Sequence, residues 1–260
     1  MKNKQKLITI LLVLLLIMII FNCQQPTSET TTTTTTINEA IMIIDEVKWF
    51  GQSSIRISDK NVNLEQRENI MFFDPINLGK IDESADIIFI THSHPDHLDS
   101  TMISKLLKPT TIIVSSEESQ CKTILSSITN EKRFVKPGDK IIINNLTIDV
   151  VEAYNINKVY HPKESNFVGY IVTIGTKKVY FAGDTDRIPE MKNWAVDIAF
   201  VPVSGTYTMT ADEAALAIVD MRAKYSIPIH YGMIPGTEEN GNSFKQFVGQ
   251  NSIVVIPPKS

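Results

Sequence analysis

The segment Thr91–Asp99, with the sequence THSHPDHLD, concentrates residues that can bind metal ions. It contains three of the five histidines in the chain and two aspartates. Imidazole nitrogens and carboxylate oxygens are ligands that zinc and similar divalent ions take from proteins. His92 and His94 are two residues apart, so in an extended segment they share a face and can bind one ion. Asp96 and His97 belong to the following turn and can reach a second ion, whereas a solvated polar loop would need no such clustering.

Two other apolar runs end in a residue of the same kind. The run KKVYFAG leads to Asp184, and the run YSIPI leads to His230. Taken alone, Asp184 could be a turn residue and His230 a hydrogen-bonded core histidine. Functional groups nevertheless concentrate at the ends of buried strands, because a rigid scaffold holds them there. Together with the first segment, these residues predict one site at one edge of a sandwich.

The elements that must position these residues are typical of an α/β domain. The apolar run DIIFI before Thr91 is typical of a strand buried on both faces. The runs IMIIDEVKWF and SIRIS lie on either side of Gly51 and Gln52 and predict a hairpin. The segment TADEAALAIVDMRAK predicts a helix that Thr210 caps. The order of strands and helices predicts two sheets sandwiched between helices.

These motifs together resemble a known family. THSHPDH is similar to the HxHxDH signature of the metallo-β-lactamase fold hydrolases, and FAGDTD and IPIHYG are similar to their aspartate and last histidine motifs. The resemblance spans about residues 46–256. The stretches AYN, HPK and GTYTMTADEAA look most like the branch related to ascorbate-6-phosphate lactonase. The resemblance implies a four-layer αβ/βα sandwich with a hydrolytic site for one or two metal ions.

The resemblance also implies a role for each residue of the motifs. The implied metal ligands are His92, His94, Asp96, His97, Asp184 and His230. The two residues of HxH would bind the first ion, Asp96, His97 and His230 the second, and Asp184 would bridge both. The implied cofactor is a divalent metal, one or two Zn²⁺ ions, with Mn or Fe as alternatives. Two such ions can hold a hydroxide and polarise the bond to be cleaved. Asp96 is the predicted catalytic residue, because beside that hydroxide it can orient it or take its proton.

One departure from the family pattern concerns the first metal. The superfamily usually has a further histidine ligand between HxHxDH and the aspartate. The only histidine in that interval is His161, whereas the strand-end position holds Asn155, in EAYNINK. Either Asn155 supplies a carbonyl oxygen, or His161 enters the site from its loop. A third alternative is that His161 binds substrate or lies on the surface.

The N-terminal part of the chain predicts an export signal. Three lysines precede the apolar run Leu7–Phe21, which is short beside the roughly 17–25 residues of a membrane span. The run stops at Cys23, as in a bacterial lipoprotein signal with a lipidated cysteine; an uncleaved anchor is the alternative. The prediction is a signal peptide over 1–22, a Thr-rich tether over 23–39 and a hydrolase domain over 40–260. The predicted location is the periplasmic or extracellular face of a membrane, anchored through Cys23.

Composition and motifs together bound the function. The net charge is −4 and no long basic run follows the leader, which argues against a nucleic-acid partner. The predicted partner is a small-molecule substrate. The predicted activity is metal-dependent hydrolysis of a small ester, lactone or phosphodiester by a metal-activated hydroxide. The alternative is a membrane-tethered, metal-binding lipoprotein whose site is degenerate and non-catalytic, because the middle histidine is missing from its usual position.

Overall fold

The apolar runs of the sequence form strands in two mixed sheets. The computed structural model describes residues 39–60, 68–233 and 235–260. The first sheet has the strand order β1-β2-β3-β4-β5-β6. Its strands are β1 (Lys48–Trp49), β2 (Ile55–Ser58), β3 (Ile70–Phe73), β4 (Ile87–Ile90), β5 (Ile112–Ser116) and β6 (Lys132–Val135). The strands β1, β2 and β3 pair antiparallel, and β3 to β6 pair parallel.

The second sheet has the strand order β13-β12-β11-β10-β9-β8-β7. Its strands are β7 (Lys140–Ile143), β8 (Leu146–Glu152), β9 (Val168–Ile174), β10 (Lys177–Phe181), β11 (Ile198–Pro202), β12 (Tyr225–Ile229) and β13 (Ile253–Val254). The hairpin strands β7 to β10 pair antiparallel, and β10 to β13 pair parallel. The parallel strands of each sheet therefore end at a common edge.

Helices flank the two sheets. They are α1 (residues 39–45), α2 (Ser100–Leu106), α3 (Ser119–Ile124), α4 (Ala211–Met221) and α5 (Glu238–Val248). Short 3-10 segments lie at Leu125–Ser127, Lys163–Ser165 and Pro189–Asn193. The predicted cap is present, since Thr210 and Glu213 form a capping box at the start of α4. Helices α2 and α3 pack on the first sheet, and α4 and α5 contact β11 and β12 of the second.

Alternation along the strands separates two apolar layers. Met71 and Phe73 of β3 face the core between the sheets, whereas Phe72 faces the layer under α2 and α3. The ring of Phe73 lies 4.8 Å from that of Phe181 in β10, which joins the two sheets. Because both faces of β3 and β4 are buried, the sequence is apolar without alternation there. The predicted four-layer α/β sandwich is confirmed.

The N-terminal edge of the domain corrects one prediction. The run IMIIDEVKWF was expected to be one arm of a hairpin, but residues 39–45 are helical and the strand that pairs with β2 is Lys48–Trp49. The reason is the spacing of apolar residues: Ala40, Ile43, Ile44 and Val47 follow a helical period and pack against the core.

Glu39–Ser260 forms one compact unit. The predicted signal peptide over 1–22 and Cys23 lie outside the described residues, as do positions 24–38 of the predicted tether. Within the described ranges, none of the helices is both apolar enough and long enough to cross a bilayer.

Candidate active site

Residues at the ends of four strands meet at one edge of the sandwich. The segment His92–His97 follows β4, and Asp74 directly follows the neighbouring strand β3. Asp184 follows β10, and His230 directly follows β12. The side chains at this edge that could bind a metal ion form two clusters. We call them the first cluster (His92, His94 and His161) and the second cluster (Asp96, His97, Asp184 and His230).

The first cluster brings three imidazoles together. The Nε2 atom of His92 lies 3.0 Å from Nδ1 of His94, and that Nδ1 lies 3.3 Å from Nε2 of His161. His161 is buried and enters from the loop between β8 and β9. Of the alternatives for the displaced histidine, the structure has the one in which His161 joins His92 and His94. Its surface alternative is wrong, since 1% of His161 is exposed.

Asn155 lies behind His161 and holds its ring. The Oδ1 atom of Asn155 accepts hydrogen bonds from the backbone N–H of His161 at 3.1 Å and from its ring Nδ1 at 3.0 Å. Its Nδ2 donates to Asp186 and to the carbonyl of Tyr207. Because Nδ1 of His161 donates its hydrogen to Asn155, the lone pair of Nε2 is left for the first cluster. The carbonyl oxygen of Asn155 is thus occupied by His161.

The second cluster combines two carboxylates with two imidazoles. The Nε2 atom of His230 lies 3.2 Å from Oδ2 of Asp184 and 3.4 Å from Oδ2 of Asp96. The Nε2 atom of His97 lies 3.2 Å from Oδ1 of Asp184. The side chain of Asp96 is 42% exposed, whereas those of the other three residues are at most 4% exposed. Asp96 is therefore the member of this cluster that solvent and substrate can reach.

A buried carboxylate outside the clusters orients His97. The Oδ2 atom of Asp74 lies 2.7 Å from Nδ1 of His97, and Asp74 also accepts hydrogen bonds from the N–H and hydroxyl of Thr91. A histidine that donates its Nδ1 hydrogen to a carboxylate presents Nε2 to a metal in a fixed direction. Asp74 was not among the predicted site residues, although it directly follows a buried strand, as His230 does. Applying the strand-end criterion to the run IMFF would have identified it.

The two clusters differ in charge. In the first, burial lowers the pKa of His161 to about 4 and that of His92 well below its ordinary range, so both imidazoles are neutral at pH 7. In the second, burial lowers the pKa of His230 but the Asp184 carboxylate outweighs it and raises that pKa to about 9. For the Asp184 carboxyl, burial acts in the opposite direction and raises the pKa. The charges of His230 and His97 outweigh burial and hold this pKa well below its usual value. In the second cluster, ionised carboxylates therefore lie against imidazoles that they hold protonated.

Backbone conformations at this edge are unusual. Gln52, Asp74 and His230 all have positive φ angles, of 48°, 43° and 58°. Non-glycine residues in this region carry a cost that persists where surrounding structure enforces it, often at functional sites. Gly183 also has a positive φ, and a Cβ there would lie 2.9 Å from the side chain of Thr91. Glycine thus allows the end of β10 to approach the end of β4.

The side chains of the second cluster fit a metal ion. His97 Nε2 and Asp184 Oδ1 are both buried and make no hydrogen bond, although they lie 3.2 Å apart. A divalent ion that displaces the hydrogen from Nε2 of His97 would give both atoms a partner. Imidazole nitrogen and carboxylate oxygen are both ligands of divalent ions. The first cluster, in which burial keeps the imidazoles of His92 and His161 neutral, offers nitrogen ligands of the same kind.

Comparison with known proteins agrees with this geometry. The chain matches the family described as the Beta-lactamase superfamily domain over residues 46–230. The chain belongs to this superfamily. It is 30% identical over 187 residues to a UPF0173 metal-dependent hydrolase of Staphylococcus saprophyticus, a match that covers 67% of this chain and 80% of the relative. A relative of the same description from Nitratidesulfovibrio vulgaris is 29% identical over 219 residues, covering 77% and 85% of the two chains.

A solved structure supports the same assignment. The crystal structure of a metal-dependent hydrolase from Parabacteroides distasonis is 31% identical, with a TM-score of 0.66, and the match covers 81% of this chain and 91% of that one. This member of the β-lactamase superfamily is therefore a metal-dependent hydrolase with the metallo-β-lactamase fold. Among the residues that the structure describes, the side chains of the two clusters could bind the metal.

Proposed function

We propose that this metal-dependent hydrolase cleaves a small ester, lactone or phosphodiester at the two clusters. The observation that carries the proposal is the position of Asp184 between them. Its Oδ2 atom lies 3.4 Å from Nε2 of His161 in the first cluster and 3.2 Å from Nε2 of His230 in the second. A carboxylate shared in this way suits a site for two neighbouring ions, and we propose Zn²⁺, with Mn or Fe as alternatives.

The proposed ligands divide between the two clusters. His92, His94 and His161 would bind one ion, Asp96, His97 and His230 the other, and Asp184 would contact both. When bound, such ions act as Lewis acids and make water a nucleophile near neutral pH. Asn155 and Asp74 hold His161 and His97 so that their Nε2 atoms face the clusters. The protein thereby orients the ligands before any ion arrives.

Asp96 is the proposed proton acceptor. Burial raises the pKa of this carboxyl, but the hydrogen bond from His230 and the charge of His97 outweigh it and lower the pKa below its usual value. Asp96 is therefore ionised at neutral pH. It is also the exposed member of the second cluster, so a substrate and an attacking water can both reach it.

An open cleft lies beside Asp96. Its volume is about 250 Å³, and Asn77, Pro95 and Met233 contribute to its walls. Ligand pockets for drug-sized molecules occupy roughly 300–1,000 Å³. A small substrate suits this cleft. Among small substrates, the resemblance of AYN, HPK and GTYTMTADEAA to the branch related to ascorbate-6-phosphate lactonase favours testing lactones first.

The test combines metal analysis with a substrate panel. We expect elemental mass spectrometry to find about two ions per chain, and the metal-loaded protein to hydrolyse at least one lactone, ester or phosphodiester. Asp96→Asn should then lose most of this activity. The control is Asp149→Asn, which removes a carboxylate that is ion-paired to Lys140 on the β7–β8 hairpin. Two bound ions with no turnover across the panel would contradict the proposal and favour a non-catalytic, metal-binding protein.

We further propose that the chain is a lipoprotein anchored to a membrane through Cys23, on its periplasmic or extracellular face. The support is the apolar run Leu7–Phe21 followed by a cysteine and a Thr-rich stretch. Mass spectrometry of the N-terminal peptide from the exporting cell should show Cys23 as a lipidated first residue. Cys23→Ser should leave the precursor uncleaved, and a mature wild-type chain that still begins at Met1 would contradict the proposal.

A further inference from the structure

Gln52 contacts the exposed end of the second cluster. It lies in the turn between β1 and β2, and 2% of it is exposed. Its Nε2 atom donates to Oδ2 of Asp96 at 3.1 Å. The same atom lies 3.1 Å from Nε2 and 3.4 Å from Nδ1 of His230. Nothing in the sequence motifs pointed to this residue, because a glutamine in a hairpin turn has no evident chemistry.

The environment determines the orientation of the Gln52 amide. With Nε2 toward Asp96 the amide donates to a carboxylate, whereas the reverse orientation would place two acceptor oxygens against each other. Because both ring nitrogens of His230 are at similar distances from Nε2, the amide lies over the face of the imidazole. The amide therefore leaves the in-plane contacts of His230 with Asp96 and Asp184 in place. The Oε1 atom of Gln52 is buried and has no hydrogen-bond partner.

The backbone holds Gln52 in this position at some cost. Its φ is 48°, in the left-handed region. Its carbonyl oxygen accepts hydrogen bonds from the backbone N–H of His230 at 2.9 Å and from Nε1 of Trp49 at 3.0 Å. Trp49 in turn stacks on Tyr231, with the ring centroids 4.8 Å apart. The unpaired side-chain oxygen Oε1 of Gln52 and its positive φ angle both disfavour folding. Their presence together next to the second cluster indicates a functional reason.

We propose that Gln52 is a positioning residue of the active site that fixes the carboxylate of Asp96. The inference rests on the proposed function, because it assigns Asp96 the reacting position. The contacts of Asp96 with Gln52, His97 and His230 all involve Oδ2. Gln52 thereby holds Oδ2 in the second cluster and leaves the other carboxylate oxygen to the cleft. Without this donor, the exposed side chain of Asp96 has additional rotamers to sample.

Two substitutions separate positioning from folding. Gln52→Met keeps the volume but removes the donor, and Gln52→Glu replaces the donor with a second carboxylate beside Asp96. The matched control is Asn69→Ala. Asn69 is also a buried amide that donates to an aspartate, Asp59 at 2.6 Å, but it precedes β3 at the end of that strand opposite Asp74. If Gln52→Met acted only by destabilising the fold, Asn69→Ala would therefore show the same effect.

The primary readout uses Co²⁺ alone on the full-length protein, so it does not depend on a known substrate. We expect Gln52→Met to change the visible absorption of bound Co²⁺ and to weaken the binding of one of two ions by about 10–100-fold. Gln52→Glu should also change the spectrum, through its added charge. Asn69→Ala should bind Co²⁺ as the wild type does, whatever its melting temperature. Wild-type affinity and an unchanged spectrum in Gln52→Met would overturn the proposal.

Hydrolysis of 4-nitrophenyl acetate and bis(4-nitrophenyl) phosphate provides a second readout. On a probe that the wild type cleaves, Gln52→Met should lower kcat with little change in KM, as expected when an interaction acts in the transition state. If the wild type cleaves neither probe but Co²⁺ binding responds to Gln52→Met, the positioning of Asp96 stands and the proposed function loses support. If the wild type is active and Gln52→Met matches it in both readouts, the function stands and the role of Gln52 is refuted.

Discussion

At the scale of single residues, the site consists of side chains that face the clusters and side chains that hold them. Asp74 holds His97 at 2.7 Å, and Asn155 holds His161 at 3.0 Å. One of these partners is a carboxylate and the other a neutral amide. A carboxylate raises the basicity of its imidazole more than an amide does. The two clusters therefore differ in the strength of their ligands as well as in their charge.

The different roles of His161 and Asn155 predict different losses of metal. His161→Ala removes a ligand atom, so about one ion per chain should remain. Asn155→Ala keeps the imidazole but frees its ring, which should weaken one site by about 10–100-fold. Competition for Zn²⁺ against a chromophoric chelator measures both effects. Unchanged affinity in both variants would place both residues outside the metal site.

The burial of Cys121 predicts that its thiol is unreactive. It is fully buried, and desolvation raises the pKa of its Sγ to about 12. Because the thiolate is the nucleophile, the neutral thiol at pH 8 should resist alkylation in the folded protein. Mass spectrometry of the Cys121 peptide after iodoacetamide treatment should show no adduct until a denaturant is added. Rapid labelling under native conditions would contradict this prediction and show that helix α3 opens readily.

At the scale of elements, the ends of parallel strands create the site. Strands β3 and β4 end side by side in the first sheet, and β10 and β12 end at the same edge of the second. Contacts between the inner faces of the sheets keep these ends in register. Phe73 is central to them, because it stacks on Phe89 of its own sheet at 4.6 Å and meets Phe181 of the other at 4.8 Å.

Truncating Phe73 should therefore destabilise the whole domain. Phe73→Ala leaves a cavity between the sheets, and large-to-small changes of this kind cost about 3–5 kcal/mol. Urea unfolding followed by circular dichroism gives the change in free energy of unfolding. The control is Phe247→Ala on α5. Phe247 is 58% exposed, so this substitution should change stability by less than about 0.5 kcal/mol. Equal effects of the two substitutions would contradict the assignment of Phe73 to the inter-sheet core.

At the scale of the whole molecule, the site joins the two sheets. The first cluster takes His92 and His94 from the end of β4 and His161 from the loop between β8 and β9. The second combines residues that follow β4, β10 and β12. Ions bound by these side chains would link the two sheets across their common edge. Binding that is specific to the folded state adds to its stability.

Removing metal should lower the melting temperature. With the free ion at 100 times its Kd, binding to the folded state contributes about 2.7 kcal/mol. For a domain of this size, this corresponds to a Tm shift of about 5–10 °C. Calorimetry of the chelator-treated and Zn²⁺-loaded protein measures the shift, and Asp149→Asn should show the same one. Identical melting temperatures for the two forms would contradict metal binding across the sheets.

The sequence determined those features of the protein that depend on neighbouring residues. The spacing of His92, His94, Asp96 and His97 indicated a metal site, because a strand end and the turn after it place all four side chains at the same edge. Continuous apolar runs predicted buried strands, and the cap at Thr210 predicted the start of α4. The strand expected near Ile43 was wrong, because apolar composition alone fits a short helix as well as a short strand. The helical spacing of Ala40, Ile43, Ile44 and Val47 distinguishes the two.

The tertiary structure decided contacts between residues that are distant along the chain. His161 meets His94 across 67 positions, and Gln52 meets Asp96 across 44 and His230 across 178. Local patterns carry no information on such pairs, because each depends on how the sheets stack and on where the loops turn back. For this reason the choice between Asn155 and His161 was open from the sequence. Only the folded chain shows that one of these two residues faces the first cluster and that the other holds it there.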